Sequence, residues 1–326
     1  MDGTTHTDFL VENELADEVS HAYLEKSLLQ AQHLTKAFGR VRAVDDITFT
    51  IGKGRCAALL GPNGAGKTTT LNMLCGLLRP TSGTIGLTGN QGTDIRKHIG
   101  YMPQFPVFFN WMTGREFLIF AGRLFKLERK ELASRADELL KMIGLYEVRN
   151  RRIGGYSGGM KQRLGFAQAM IHRPELLVLD EPVSALDPVG RREILELLRV
   201  MKNETTILFS THVLHDAEDL CDDILIMKAG KIVLAGPLDE LRRDYQKPLI
   251  YVEAEVSLQE WAESIRTQPF VTKVESNGRT AVITVNNRAA AREFLFADLA
   301  QKRLPVTRFD TANTTLENLF LEVIEA

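Results

Sequence analysis

The sequence has no long apolar run. Its hydrophobic stretches, such as Phe117–Ala121, are far shorter than the ~18 to 20 residues that a membrane-spanning helix needs, so no span is expected. No basic start followed by an apolar stretch opens the chain. Its first residues are acidic (Asp2, Asp8, Glu12, Glu14, Asp17, Glu18), which argues against a secretory leader. Cysteine is scarce. Cys56, Cys75 and Cys221 are odd in number and lack metal-ligand spacing, so they read as core residues of a reduced compartment rather than a disulfide or zinc framework. Charge of one sign is also missing. Forty basic residues face 42 acidic ones, for a net charge of −2 and a pI near 6.4. No field draws the whole molecule to nucleic acid or to an anionic membrane, and no nucleic-acid partner is expected.

What is present is ordinary globular material: 326 residues, 44% hydrophobic and 25% charged. That length suggests about two domains. Residues 1–28 form an acidic extension in which Phe9, Leu10, Leu15, Val19 and Tyr23 are spaced as on one helix face. From 29 to 246 short apolar strands alternate with helical periods, the mark of an α/β sheet. Cys56–Leu60 reads as a strand, and Lys67–Leu78 as a helix ended by Pro80. A capping box, Thr113 to Glu116, opens a helical insertion over about 113–165. "LLVLD" and "TTILFS" read as buried strands. After 246 the order becomes β-α-β-β-α-β, suggesting a small α+β, ferredoxin-like domain over 247–326. Within it a helix starts at Ser257, a hairpin turns near Asn277-Gly278, and a last helix opens on a second capping box, Thr314 to Glu317.

The loop Gly61, Pro62, Asn63, Gly64, Ala65, Gly66, Lys67, Thr68, Thr69 contains G-x-x-x-x-G-K-[ST] between a strand and a helix. Glycines let successive backbone N–H groups point at phosphate oxygens, and the helix adds its positive end. Lys67 suits the outer phosphates, and the Thr68 hydroxyl suits Mg²⁺. Downstream, four apolar residues lead into Asp180 and Glu181. Asp180 suits the magnesium shell, and Glu181 a proton from attacking water. A second anion motif, Ser157, Gly158 and Gly159, opens a helix of its own, although the triphosphate already has its cradle.

"SGG" followed by Lys161, Gln162 and Arg163, then by "LLVLDEP", resembles the signature of the ABC-transporter ATPases, and the likeness covers about Leu29 to Gly236. The resemblance implies that two ATP molecules with Mg²⁺ are sandwiched in a head-to-tail dimer, of this chain or of it with a homologous ATPase. Each signature then serves the γ-phosphate held by the partner. It also implies that Phe38 stacks on adenine and that Gln104 contacts magnesium. Ser184–Asp187 would join the two sites, and His212 would contact the γ-phosphate. Catalysis would then fall to Glu181, His212 and Lys67. Tyr156 and Met160 depart from the family's usual leucine and glutamine. In such transporters the stretch after the glutamine, here Phe105–Met112, receives a helix of a separate membrane permease. About half of its apolar side chains are expected to pack inward.

The C-terminal tail resembles those of ATPases paired with bacterial six-helix exporters. Together these imply a peripheral subunit on the cytoplasmic face of the membrane. A soluble ABC-type ATPase acting on ribosomes or DNA is the alternative, against which stand one cassette instead of two and no basic arm. A P-loop kinase would have no use for the second anion motif.

Overall fold

The computed structural model describes residues 27–89, 94–184, 186–244, 249–311 and 316–325. Contacts divide the chain into two compact units between Pro237 and Leu238. In the first unit the order is β1 (Ser27–Phe38), β2 (Val41–Gly52), β3 (Cys56–Leu60), α1 (Lys67–Leu74), β4 (Ser82–Leu87) and β5 (Ile99–Met102). Three helices follow, α2 (Gly114–Leu124), α3 (Arg129–Met142) and α4 (Gly158–Met170). Then come β6 (Leu176–Asp180), α5 (Pro188–Met201), β7 (Thr206–Thr211), α6 (Leu214–Leu220), β8 (Asp223–Lys228) and β9 (Lys231–Pro237).

Six strands form the central sheet, in the order β5-β6-β7-β3-β8-β9, parallel except for β9. Every residue of β3, β6 and β7 is buried. That fits strands covered on both faces, which read as unbroken apolar runs without alternation. A smaller antiparallel sheet, β2-β1-β4, supplies much of the adjoining core through Leu29, Leu34, Ile47 and Ile51.

The parallel register matters most for function. Leu60 lies beside Thr211, Asp180 beside Ser210, and Met102 beside Leu179. The loops leaving β3, β5, β6 and β7 therefore emerge side by side at one edge, where α/β sheets bind ligands.

Two helix boundaries differ from expectation. α1 stops at Leu74, not Leu78. Gly76, at φ +67°, turns the chain, and the Leu77 and Leu78 amides both donate to the Asn72 carbonyl, so glycine ends this helix before Pro80 is reached. α4 runs to Met170, past 165, because Phe166, Ala167, Ala169 and Met170 continue its buried face. The capping box at Thr113 forms as expected, with Thr113 Oγ1 accepting from the Glu116 amide at 3.2 Å and Glu116 Oε2 accepting from the Thr113 amide at 2.8 Å.

The second unit begins with α7 (Leu238–Asp244), ahead of the change expected after Gln246. It continues β10 (Leu249–Ala254), α8 (Gln259–Ile265), β11 (Val271–Asn277), β12 (Thr280–Val285), α9 (Arg288–Gln301), β13 (Val306–Asp310) and α10 (Leu316–Glu325). Its antiparallel sheet has the order β11-β12-β10-β13, the expected β-α-β-β-α-β arrangement. Trp261 is buried against it and donates its indole N–H to Asp298 Oδ2 at 2.8 Å. α8 begins at Gln259 with Leu258 in the capping position, two residues later than expected, and Ser257 Oγ accepts from the Gln259 amide at 3.4 Å. The leader's helix face and the Thr314 cap lie outside the described residues.

Candidate active site

The loop after β3 is shaped by its glycines. Gly61, Gly64 and Gly66 have φ of +156°, +81° and +107°. A Cβ on Gly66 would stand 2.5 Å from the Ala43 carbonyl oxygen, and one on Gly61 would stand 2.4 Å from that of Met227. Both are closer than real Cβ contacts, so backbone is packed against backbone here and only glycine fits. The loop borders a cavity of about 710 Å³, lined also by Ala43, Lys67, Thr68, Gln104, Phe105, Glu181, Ser184 and His212.

Glu181 is the meeting point of four loops. Its Oε2 lies 3.3 Å from His212 Nδ1 and accepts from Gln104 Nε2 at 3.4 Å, while its Oε1 lies 3.8 Å from Lys67 Nζ. Its backbone is held at φ +44°, unusual for a residue with a side chain. The Glu181 amide donates to Ser210 Oγ at 2.9 Å, which fixes that turn. Ser210 also donates to Asp180 Oδ1 at 2.7 Å, and Thr68 Oγ1 donates to the same oxygen at 3.1 Å. Lys67 is buried and donates to the Gly61 and Pro62 carbonyls at 2.8 and 3.2 Å. Burial lowers its pKa, and the Glu181 and Asp180 carboxylates oppose that fall.

The site fits a magnesium–triphosphate substrate. The Thr68 hydroxyl and Asp180 carboxylate are adjacent hard oxygen donors, and Mg²⁺ takes only one or two such groups from a protein. No group of three or more His, Cys, Asp or Glu residues able to hold a metal ion occurs among the described residues. The three cysteines are buried and free, with Cys56 Sγ 3.7 Å from Cys221 Sγ.

Other expected residues lie apart from this cavity. Phe38 is 51% exposed at the end of β1, with Lys36 Nζ 5.1 Å above its ring. Asp187 caps α5, accepting from the Gly190 amide at 2.9 Å. Ser157 caps α4, accepting from the Met160 amide at 3.2 Å. Ser157, Gly158 and Gly159 do not line the cavity. A Cβ on Gly158 would meet nothing within 4 Å, and one on Gly159 only Leu186 Cδ2 at 3.9 Å. Among the described residues nothing demands glycine there.

Tyr156 is buried and donates to the Val148 carbonyl at 2.9 Å, against Gly114, where a Cβ would stand 2.6 Å from its hydroxyl. The tyrosine is thus built into the helical region behind Ser157. Tyr156→Phe should cost about 1 kcal/mol of unfolding free energy in urea titration, as loss of one internal hydrogen bond does, and leave nucleotide binding intact.

Sequence reasoning missed Ser210, and it named Gln162 within the signature without its contact. Ser210 is a fully buried hydroxyl in an apolar strand, a signal that was readable. Gln162 Nε2 donates to the Pro182 carbonyl at 2.8 Å, joining the signature helix to the turn after Glu181.

Comparison with known proteins decides the family. The description "ABC transporter" matches residues 44–184, and "ATP-binding protein DrrA1-3-like, C-terminal domain" matches 236–324. The ABC transporter ATP-binding protein YxlF of Bacillus subtilis (strain 168) is 48% identical over 300 residues, covering 92% of this chain and 100% of that protein. The chain belongs to the ABC transporter ATP-binding proteins. The bacitracin transport ATP-binding protein BcrA of Bacillus licheniformis is 33% identical to this ABC ATPase over 304 residues, 91% of this chain and 97% of that one. A dimeric ATP-binding cassette in a post-hydrolysis state, bound to ADP and Pi, superposes with a TM-score of 0.58 at 26% identity, over 65% of this chain and 99% of that one. This ABC ATPase accordingly binds adenine nucleotide and hydrolyses ATP in the service of transport. No helix among the described residues is long and apolar enough to cross a membrane.

Proposed function

We propose that this ABC ATPase works with Mg²⁺ as a head-to-tail dimer, of itself or with a homologous subunit, and drives a separate membrane permease, in the export direction. The observation that carries the reading is the Glu181 carboxylate ringed by Lys67, Gln104 and His212 at the mouth of the glycine loop. A carboxylate so placed can take a proton from attacking water. Gly61–Thr69 would cradle the phosphates, Lys67 neutralise the outer ones, and Phe38 stack on adenine. Bound Mg²⁺ would offset phosphate charge, held by Thr68 and Asp180 with Gln104 beside it. His212 would steady the γ-phosphate against Glu181. A deficit in Mg²⁺-dependent phosphate release by the purified protein would sink this assignment.

The dimer rests on Ser157, Gly158 and Gly159. They form a capped helix start with open glycines, outside the chain's own cavity. A second molecule's phosphates would explain glycines that the chain itself does not need. Asp187, four residues before the first turn of α5 closes, would lie on the route between the two sites.

The permease rests on Phe105–Met112. Phe105, Val107, Phe109 and Trp111 are exposed, Trp111 by 69%, and Phe109 lies near Trp111, Phe117 and Phe120 at 6.0, 6.4 and 5.7 Å between ring centroids. Only Phe108 is buried, edge-on to Phe117 at 5.0 Å, so fewer of these side chains turn inward than the half expected. Clustered exposed aromatics suit an interface core. They support docking against a membrane subunit at the cytoplasmic face. Trp111→Ala should weaken permease association about 30-fold, for a hot spot worth about 2 kcal/mol. Phe108→Ala should instead destabilise the fold by about 3 kcal/mol or more through a core cavity. Pull-down of the permease and urea unfolding separate the two effects. Unchanged docking for Trp111→Ala would move the partner elsewhere.

A further inference from the structure

α5 and α6 each begin just after a loop assigned to catalysis. Asp187 caps α5, and four residues on the Arg191 amide donates to the Asp187 carbonyl at 2.9 Å. His212 precedes α6 by two residues, and Asp216 follows it by one turn. The two helices meet through these second positions. Arg191 Nη2 and Nε donate to Asp216 Oδ1 at 2.6 and 3.0 Å, beside a cleft of about 540 Å³. Of the other charges facing that cleft, His215 lies 3.6 Å from Asp219 and Arg199 lies 2.5 Å from Glu196, while Arg192 lines it without an ion pair among the described residues.

Asp216 is fully buried, and its Oδ2 has no hydrogen-bond partner among the described residues. A guanidinium fork matches both oxygens of a carboxylate, yet here both nitrogens share one oxygen. Asp216 is buried while the Arg191 side chain is a third exposed, and an ion pair so placed often stabilises no more than apolar packing of the same volume, so stability alone is a weak reason for it. A half-engaged fork leaves Oδ2 open to a second bond, and a slide of α5 along α6 would bring one nitrogen to it. A contact with two such positions would couple the loops that the two helices follow.

We propose that Arg191 and Asp216 are positioning residues for hydrolysis: their ion pair transmits the position of the Asp187 loop to His212, and so sets His212 against Glu181. This rests on the roles given above to His212 and Glu181. Neither Arg191 nor Asp216 lines the nucleotide cavity, so neither should affect ATP binding directly.

The test is a double-mutant cycle on ATP hydrolysis under single-turnover conditions, with thermal unfolding recorded for each protein. Asp216→Asn keeps the shape and removes the charge. It should lower the hydrolysis rate roughly tenfold or more while changing the ATP concentration for half-maximal rate less than about twofold. In a His212→Ala background the same change should cost less than about twofold, because both act through one group. Arg191→Lys, which keeps the charge and loses the fork, should repeat the pattern and carries the test if Asp216→Asn does not fold. A normal rate in the folded variants, or an equal loss in the His212→Ala background, would overturn the proposal. Absence of hydrolysis by the unmutated protein would overturn the functional reading itself, a distinct outcome.

Discussion

Glu181→Gln should hydrolyse ATP at least about 10²-fold more slowly than the wild-type protein, as loss of a general base does, while binding ATP as well. The size of the effect follows from the surroundings. The Glu181 carboxylate faces three nitrogen groups, from Lys67, Gln104 and His212, and among the described residues no other carboxylate pairs with all of them. Asp180 does not take over, because its Oδ1 already accepts from Ser210 and Thr68 and its residue is buried in the strand. Glutamine keeps the volume and the amide bond to Ser210, so the φ +44° turn should persist. With the loop intact and hydrolysis blocked, ATP-bound dimer should accumulate. Phosphate release and gel filtration with ATP read the two effects. Near-normal turnover would remove Glu181 from the role.

Lys67→Ala should lose ATP binding by about 10²-fold or more if its buried charge neutralises the outer phosphates as proposed. Lys67 Nζ also clasps the Gly61 and Pro62 carbonyls, so its removal loosens the loop as well as the charge. Ser157→Arg should behave oppositely. The isolated monomer should bind ATP normally, because Ser157 lies outside the cavity. Turnover should fall by a similar factor, because an arginine at the capped start of α4 obstructs what the partner presents. Equilibrium binding of a fluorescent ATP analogue and steady-state turnover distinguish the two classes. A Ser157→Arg monomer that no longer binds ATP would mean that the motif acts within its own chain.

Much of this was legible in residues whose spacing is set by direct contact. The glycine loop reads plainly because backbone approaches backbone at Gly61 and Gly66, and no other residue fits. The strand before Asp180 reads plainly because burial on both faces demands an unbroken apolar run. The capping box at Thr113 and the hairpin before Gly278 are local rules met locally. Other features depend on distant partners. Ser210 sits in a neighbouring strand 30 residues from Asp180 and is placed under it only by the parallel register. Arg191 and Asp216 are 25 residues apart and meet through helix packing that no short spacing encodes. The inward or outward turn of Phe105–Met112 was not legible either, because a loop has no period to assign its faces. α1 ends short of its apolar pattern, which continues past Gly76, because the positive φ of Gly76 turns the chain.

In the proposed dimer each complete site is shared between two chains. The most direct test mixes Lys67→Ala protein with Ser157→Arg protein, each inactive alone. A mixed dimer pairs the intact loop of one with the intact signature of the other, leaving one whole site and one doubly broken site. ATP turnover should therefore reappear on mixing and scale with the fraction of mixed dimer. No recovery under conditions where mixed dimers are demonstrated by differential tagging would contradict the shared site.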